Sequence, residues 1–277
     1  MVYVEMRRGG SIMPILAGDI GGTKTHLALC SDAEQGKILK QKKYPSKDFE
    51  HLENILIDFL KDADIPQKAC FGIAGPIENE VCRATNLPWV IDGSHISKRL
   101  KIPEVHLIND LEANAWGIQW LKADEFYILN EGNTDLQGNK ALIAAGTGLG
   151  EAGFYWDGKK HHPFACEGGH CDFAPIDTEQ VELWKYLKEK FDHVSYERIL
   201  SGPGLYCLYQ FLIDTAREKE NLAIKEAMQK DIPSKVITDN ALLGSCQACK
   251  RALDLFVYIY GIESGNLALK FLSFGGL

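Results

Sequence analysis

Gly18-Asp19-Ile20-Gly21-Gly22-Thr23-Lys24-Thr25 sets two adjacent glycines between the short apolar runs Ile15–Ile20 and His26–Cys30. Glycines in a tight strand turn let backbone N–H groups approach phosphate oxygens. Asp19, at a strand end, is placed to hold a magnesium ion through water, and Thr23 to donate to a phosphate. The spacing is not that of a P-loop. Taken alone, such a turn is structural as readily as functional. A second segment repeats the design: strand Ala141–Ala145, then Gly146-Thr147-Gly148-Leu149-Gly150, then a strand through Phe154. No helix follows it, so it is not a dinucleotide fingerprint. Two phosphate-type hairpins in one chain are more specific than either alone, and suggest a nucleotide gripped between two related halves.

Three further groups have chemistry to offer. Asn109-Asp110 closes the strand from Val105 and opens a helix, which is where α/β proteins place a catalytic base. Read by itself, Asp110 is the more ordinary N-cap. Cys166-Glu167-Gly168-Gly169-His170-Cys171-Asp172 gathers polar side chains around two glycines, a loop suited to hydrogen-bonding a polyol. Glu197, in Ser195-Tyr196-Glu197-Arg198, reads alone as a helix cap. Zinc is disfavoured: His161, His162, Cys166, His170 and Cys171 cluster in sequence, but no C-x₂-C pair lies among them. Cys246 and Cys249 form a lone pair in a helical pattern, without the strand-helix-strand setting of a redox motif.

The elements that position these groups follow from periodicity. Lys37–Tyr44 is a third strand. Asp48 is expected to open a helix with Phe49, Leu52, Ile55, Leu56, Phe59 and Leu60 on one face. Lys68–Ile73 and Val105–Asn109 are strands, and a helix runs from Asp110 through Trp116 to Leu121. Beyond Phe154 the helical pattern dominates, over Glu179–Phe191, Tyr196–Leu200, Pro203–Lys219 and Ala248–Leu272, the last with a break or kink expected at Gly261 and Gly265. The order is that of an α/β protein. The chain divides into a small α/β domain over 1–121 and a large one over 122–277, with the junction near Lys122–Asp124.

Composition agrees with two soluble domains. The 277 residues are 45% hydrophobic and 25% charged, ordinary globular values. Thirty basic and 38 acidic side chains leave a formal charge of −8, against a nucleic-acid or anionic-membrane partner. No apolar run is long enough for a membrane helix. Residues 1–13 do not read as a signal peptide; they are a disordered extension, or Met13 is the start. The eight cysteines sit mostly in apolar stretches, as reduced thiols of a cytoplasmic protein do.

Together these motifs resemble the bacterial glucokinases, of the actin-like ATPase and hexokinase superfamily, from Ile15 to Leu277. LAGDIGGTKTHLAL and AAGTGLGEAGF are similar to the two phosphate motifs, CFGIAGPI to the first connecting segment and HLINDLEANAWGI to the catalytic-base segment. EGGHCDFAP, HVSYERILSGPGL and SCQACKRALDLF are similar to segments peculiar to this group. The resemblance implies a two-domain, ribonuclease H-like α/β fold and transfer of the ATP γ-phosphate to the 6-hydroxyl of glucose. It implies Asp110 as general base, and Asn109, Glu167, His170 and Glu197 as sugar ligands. Gly18, Asp19, Ile20, Gly21, Gly22 and Thr23, with Gly146, Thr147 and Gly148, would hold ATP, with Mg²⁺ near Asp19. A homodimer is left open. The alternatives are a kinase for another hexose or N-acetylhexosamine, or an inactive sugar-binding regulator. The family continues past the final Gly-Gly with an adenosine motif and closing helices, so the C-terminal part is expected to be truncated.

Overall fold

The computed structural model describes residues 14–32, 37–84, 87–133 and 136–277. The N-terminal extension lies outside them. The chain falls into two compact units, one up to Ile118 and one from Gln119 onward.

The first unit is built on a five-stranded mixed sheet. β1 (Pro14–Ile20), β2 (Lys24–Ser31) and β3 (Ile38–Pro45) form an antiparallel meander. After helix α1 (Leu52–Leu60), β4 (Lys68–Ile73) enters parallel to β1. A small sheet of β5 (Ile77–Glu78), β6 (Val81–Arg83) and β7 (Val90–Asp92) and helix α2 (Gly93–Leu100) follow. Then β8 (Glu104–Asn109) adds parallel to β4, giving the order β3-β2-β1-β4-β8, and α3 (Asp110–Ile118) leaves its end. Alternating burial along β1 and β2 delivers Leu16, Ile20, Leu27 and Leu29 to a core shared with Leu52, Ile55, Leu56 and Phe59 of α1, as period-2 and period-3.6 patterns require.

Asp48 does not open α1. It ends a 3₁₀ turn, Ser46–Asp48, and the helix starts at Leu52 after His51. The cause is tertiary. Ser46 is held by the Gly21–Lys24 turn: its hydroxyl donates to Gly21 O at 2.7 Å and its N–H to Thr23 O at 3.0 Å. Phe49 stands edge-on to the Tyr44 ring. The helix cannot begin until the chain has left these contacts. α3 likewise stops at Ile118 rather than Leu121.

In the second unit, β9 (Lys140–Ala145), β10 (Leu149–Trp156) and β11 (His161–Cys166) form an antiparallel sheet in the order β11-β10-β9. Helices α4 (Thr178–Lys188), α5 (Gly202–Asp214), α6 (Leu222–Met228), α7 (Pro233–Leu242) and α8 (Gln247–Phe271) follow. α8 packs on β9, α5 and α7. The expected break in α8 is absent: the helix runs unbroken through Gly261 and Gly265. Its buried stripe, Ala248, Ala252, Leu255, Ile259, Glu263 and Leu267, continues past both glycines at helical spacing. Packing on that face outweighs the loss of about 1 kcal/mol per exposed glycine. α5 ends before the expected Lys219, where Ala216 takes a left-handed φ of 55°. Tyr196–Arg198 is only a 3₁₀ turn. Among the described residues no helix is long and apolar enough to cross a membrane.

Candidate active site

In the first unit, β1, β4 and β8 are parallel and end level. Asp19 pairs with Gly72, Gly72 with Ile108, and Ile73 with Asn109. Asp19 and Asn109-Asp110 therefore stand at the same carboxyl edge of the sheet, where α/β folds bind ligands. The Gly21–Lys24 turn is closed by Gly21 N–H to Lys24 O at 3.0 Å and braced by Ser46. The hydroxyls of Thr25 and Ser46, 3.0 Å apart, lie beneath it. Asp19 and Thr23 are both exposed, whereas the Ile20 side chain belongs to the core, so Ile20 offers a ligand only its backbone. Gly18 is explained by packing: a Cβ there would stand 2.7 Å from Phe71 and 2.8 Å from Leu27.

Asp110 is not the residue that caps α3 alone. Asn109 Oδ1 accepts the N–H groups of Leu111 at 2.9 Å and Glu112 at 3.4 Å, and Asp110 Oδ1 shares the Leu111 N–H at 2.9 Å. Capping thus occupies the oxygen of Asn109 and leaves its Nδ2 to donate. Half-burial raises the Asp110 carboxyl above its ordinary value; the Leu111 N–H opposes that, and the charge of Asp19 adds to it. A carboxylate so raised is a better proton acceptor. Gly72 lets α3 lie this close, since a Cβ there would come 2.9 Å from the Ala113 Cβ and 3.7 Å from the Asp110 Cα.

In the second unit the hairpin turn is closed by Gly146 N–H to Gly148 O at 2.8 Å, and Gly146 O accepts the Gly202 N–H at 2.8 Å. Thr147 is exposed. Glu197 Oε2 accepts the Leu149 N–H at 3.0 Å. A Cβ on Gly148 would collide with that same oxygen. The Gly168–His170 3₁₀ turn lies on β10 because Gly169 has no Cβ to strike Leu149 O. A short antiparallel bridge ties it to the Glu197 segment: Phe173 N–H bonds Val194 O at 2.9 Å and Tyr196 N–H bonds Cys171 O at 3.1 Å. His170 consequently stands between two carboxylates, Nδ1 3.9 Å from Glu197 Oε1 and Nε2 4.0 Å from Glu167 Oε2. Glu167, His170 and Glu197, distant or ambiguous in sequence, form one cluster of acceptors and a donor.

The other histidines of this stretch are committed elsewhere. A His161 ring nitrogen lies 3.0 Å from Gly138 O, and one of His162 lies 2.7 Å from Asp157. Among the described residues no group of three or more His, Cys, Asp or Glu side chains could hold a metal ion. Cys246 caps α8, its Sγ accepting the Cys249 N–H.

The sequence model of the family described as Glucokinase matches residues 16–277. Glucokinase from Nostoc punctiforme is 40% identical over 283 residues, covering 95% of this chain and 82% of the relative. Glucokinase from Yersinia pestis is 39% identical over 266 residues, covering 95% and 78%.

The chain belongs to the glucokinase family.

Among solved structures, a glucokinase from an Antarctic psychrotroph superposes with a TM-score of 0.78 at 28% identity, over 96% of this chain and 82% of that one. A ROK family glucokinase from Streptomyces griseus, in complex with glucose and AMPPNP, gives 0.61 at 22% identity over 93% and 80%. At that identity the likeness speaks for the fold alone. Magnesium bound with a nucleotide needs few protein ligands, because water and phosphate fill most of its shell. A solvent-accessible Asp19 beside a glycine turn fits such a role, and a three-ligand cage is not required.

Motif reading overlooks residues in each unit. In the first, Gly72 and Ser46 position α3 and the Gly21–Lys24 turn through contacts that no local pattern announces. Glu151 lies under the Gly168 turn, and its signal was available: a glutamate on the same face of β10 as Leu149 and Gly153.

Proposed function

We infer that this glucokinase-family chain transfers the γ-phosphate of ATP to the 6-hydroxyl of glucose. The observation that carries this reading is Glu197. One carboxylate closes the Gly146–Gly148 hairpin through the Leu149 N–H and also faces His170 in the polyol cluster. A phosphate-type turn and a polyol-type cluster are thereby built as one piece.

The roles follow from the chemistry of each group. Asp110, raised by burial, accepts the proton of the attacking hydroxyl. Asn109 Nδ2 donates to the sugar. Glu167 and Glu197 accept from sugar hydroxyls, and His170 donates or accepts according to its tautomer. The backbone of the turns at Gly21–Thr23 and Gly146–Gly148 takes the phosphates. Phosphoryl transfer needs little covalent help and much positioning, which is what glycine turns and fixed carboxylates supply. Mg²⁺ held near Asp19 through water would neutralise phosphate charge.

The test is a coupled ATP-consumption assay over a panel of hexoses and N-acetylhexosamines, on the parent chain and Asp110→Ala. Glucose is expected to be the preferred acceptor. Asp110→Ala is expected to lower kcat by about 10²–10⁴ while glucose binding persists. Loss of affinity with kcat unchanged would reduce Asp110 to a binding residue.

A further inference from the structure

Glu151 lies on β10 in register with Ile143 of β9 and Cys166 of β11. It is 1% exposed, and neither carboxyl oxygen has a hydrogen-bond partner. A buried anion left so is costly. The titratable groups that face it are Tyr260, Glu263 and Lys270 from α8 and Cys166 from β11. Glu263 is fully buried and already satisfied. Lys270 Nζ stands 3.0 Å from one of its oxygens, and Asn266 Nδ2 donates to the other at 2.9 Å. The ammonium is committed to Glu263, and Glu151 has no cation of its own. Burial, reinforced by Glu263 and opposed by Lys270, pushes its carboxyl up to about 7.

The position of that carboxyl matters as much as its surroundings. Gly168 rests directly on it: a Cβ at 168 would collide with Oε2 and stand 2.7 Å from Cδ. Gly168 opens the turn that ends at His170 and follows Glu167. On the other side, Asn266 Nδ2 reaches the Tyr196 hydroxyl at 3.1 Å, and Tyr196 precedes Glu197. Both arms of the polyol cluster therefore stand over the buried pair Glu151 and Glu263.

We propose that Glu151 is a positioning residue of the sugar site, setting the height of the Glu167–His170 turn over β10 through the contact of its carboxyl group with Gly168. The proposal rests on the glucose reading above. As a neutral acid, Glu151 suits a floor that offers it no partner. As a carboxylate it must draw in water or move towards Lys270, and either change displaces the turn. Sugar affinity consequently falls as pH rises through neutrality.

The test is calorimetric titration of glucose, without nucleotide, at pH values spanning about 7, on the parent chain and on Glu151→Gln. Glutamine keeps the shape and cannot ionise. The parent is expected to lose about threefold to tenfold in affinity across the window, since each pKa unit of difference between free and bound protein is worth about tenfold. Glu151→Gln is expected to keep the low-pH affinity throughout. A flat parent curve, or a glutamine variant that follows the parent, overturns the proposal. No glucose binding by the parent at any pH overturns the sugar reading instead. A second pair covers a glutamine variant that fails to fold: Gly168→Ala is expected to weaken glucose binding, and adding Glu151→Ala to recover most of the loss. Additive losses overturn the proposal.

Discussion

Glu197 Oε2 accepts the Leu149 N–H at 3.0 Å, while Oε1 of the same side chain stands 3.9 Å from His170 Nδ1. The end of a phosphate-type hairpin and the polyol cluster thus share one carboxylate. Glu197→Ala removes both contacts. It is expected to raise KM for glucose and for ATP together and to cost about 1–3 kcal/mol, the penalty for a donor left unsatisfied. Glu197→Gln keeps an acceptor for the amide. It is expected to recover the ATP KM and the melting temperature but not the glucose KM. Kinetics against each substrate, with thermal melts, check this; an ATP KM unmoved in the alanine variant would show that the hairpin stands without Glu197.

Gly72 controls how closely α3 approaches the sheet, a Cβ there being 2.9 Å from that of Ala113. Gly72→Ala must push the start of α3, and Asp110 with it. A displacement of about 1 Å in a catalytic group costs about 10²-fold, so kcat is expected to fall by roughly that factor. Ala113→Gly in the same chain relieves the collision and is expected to restore most of the rate. Failure of this second change to rescue would mean that Gly72 serves the backbone and not the helix.

Stability should depend on pH through Glu151. Its folded pKa is about 7, against an ordinary 4.5. Between those values the folded state holds a proton that the unfolded state has lost. Stability contributed by that proton is therefore present below about pH 4.5 and is lost as pH rises through about 7. At 1.36 kcal/mol per unit the total is about 3 kcal/mol. Glu151→Gln removes this dependence. The two chains are expected to melt alike at the acid end, and the glutamine variant several degrees higher above neutrality. Thermal melts across that range decide it.

Gly261 and Gly265 are exposed in the middle of α8, and a Cβ on either meets nothing within 4 Å. Replacing each by Ala is expected to stabilise the protein by about 0.5–1 kcal/mol without changing kcat. Chemical denaturation of the single and double variants measures it. A loss of stability would show that these positions need glycine for a reason other than helix geometry.

The parts of this protein that are legible in its sequence are those governed by neighbours along the chain. Short apolar runs mark β1, β2, β4, β8 and β9. Glycine-rich turns between such runs mark both hairpins, and Asn109-Asp110 marks a strand end passing into a helix. These motifs, taken together, already point to the glucokinases, the family to which the chain belongs. Other features cannot be read this way. β5, β6 and β7 are two or three residues long, too short for any period to register. Asp48 has the chemistry of a helix cap, yet Ser46, held by the Gly21 turn, defers the helix to Leu52. Gly261 and Gly265 read as breakers, but the stripe from Ala248 to Leu267 is buried and carries the helix across them. Which carboxylate does what is likewise a tertiary matter. Glu197 alone is an ordinary cap, and becomes a site residue only because the Cys171–Phe173 bridge sets it beside His170. Glu151 becomes a near-neutral buried acid only because α8 covers it with Glu263 and commits Lys270 elsewhere. Local pattern determines which elements form and where chemistry is available, since propensity and periodicity act over a few residues. Burial, charge pairing and close approach depend on residues far apart in the chain, and only the folded structure sets them.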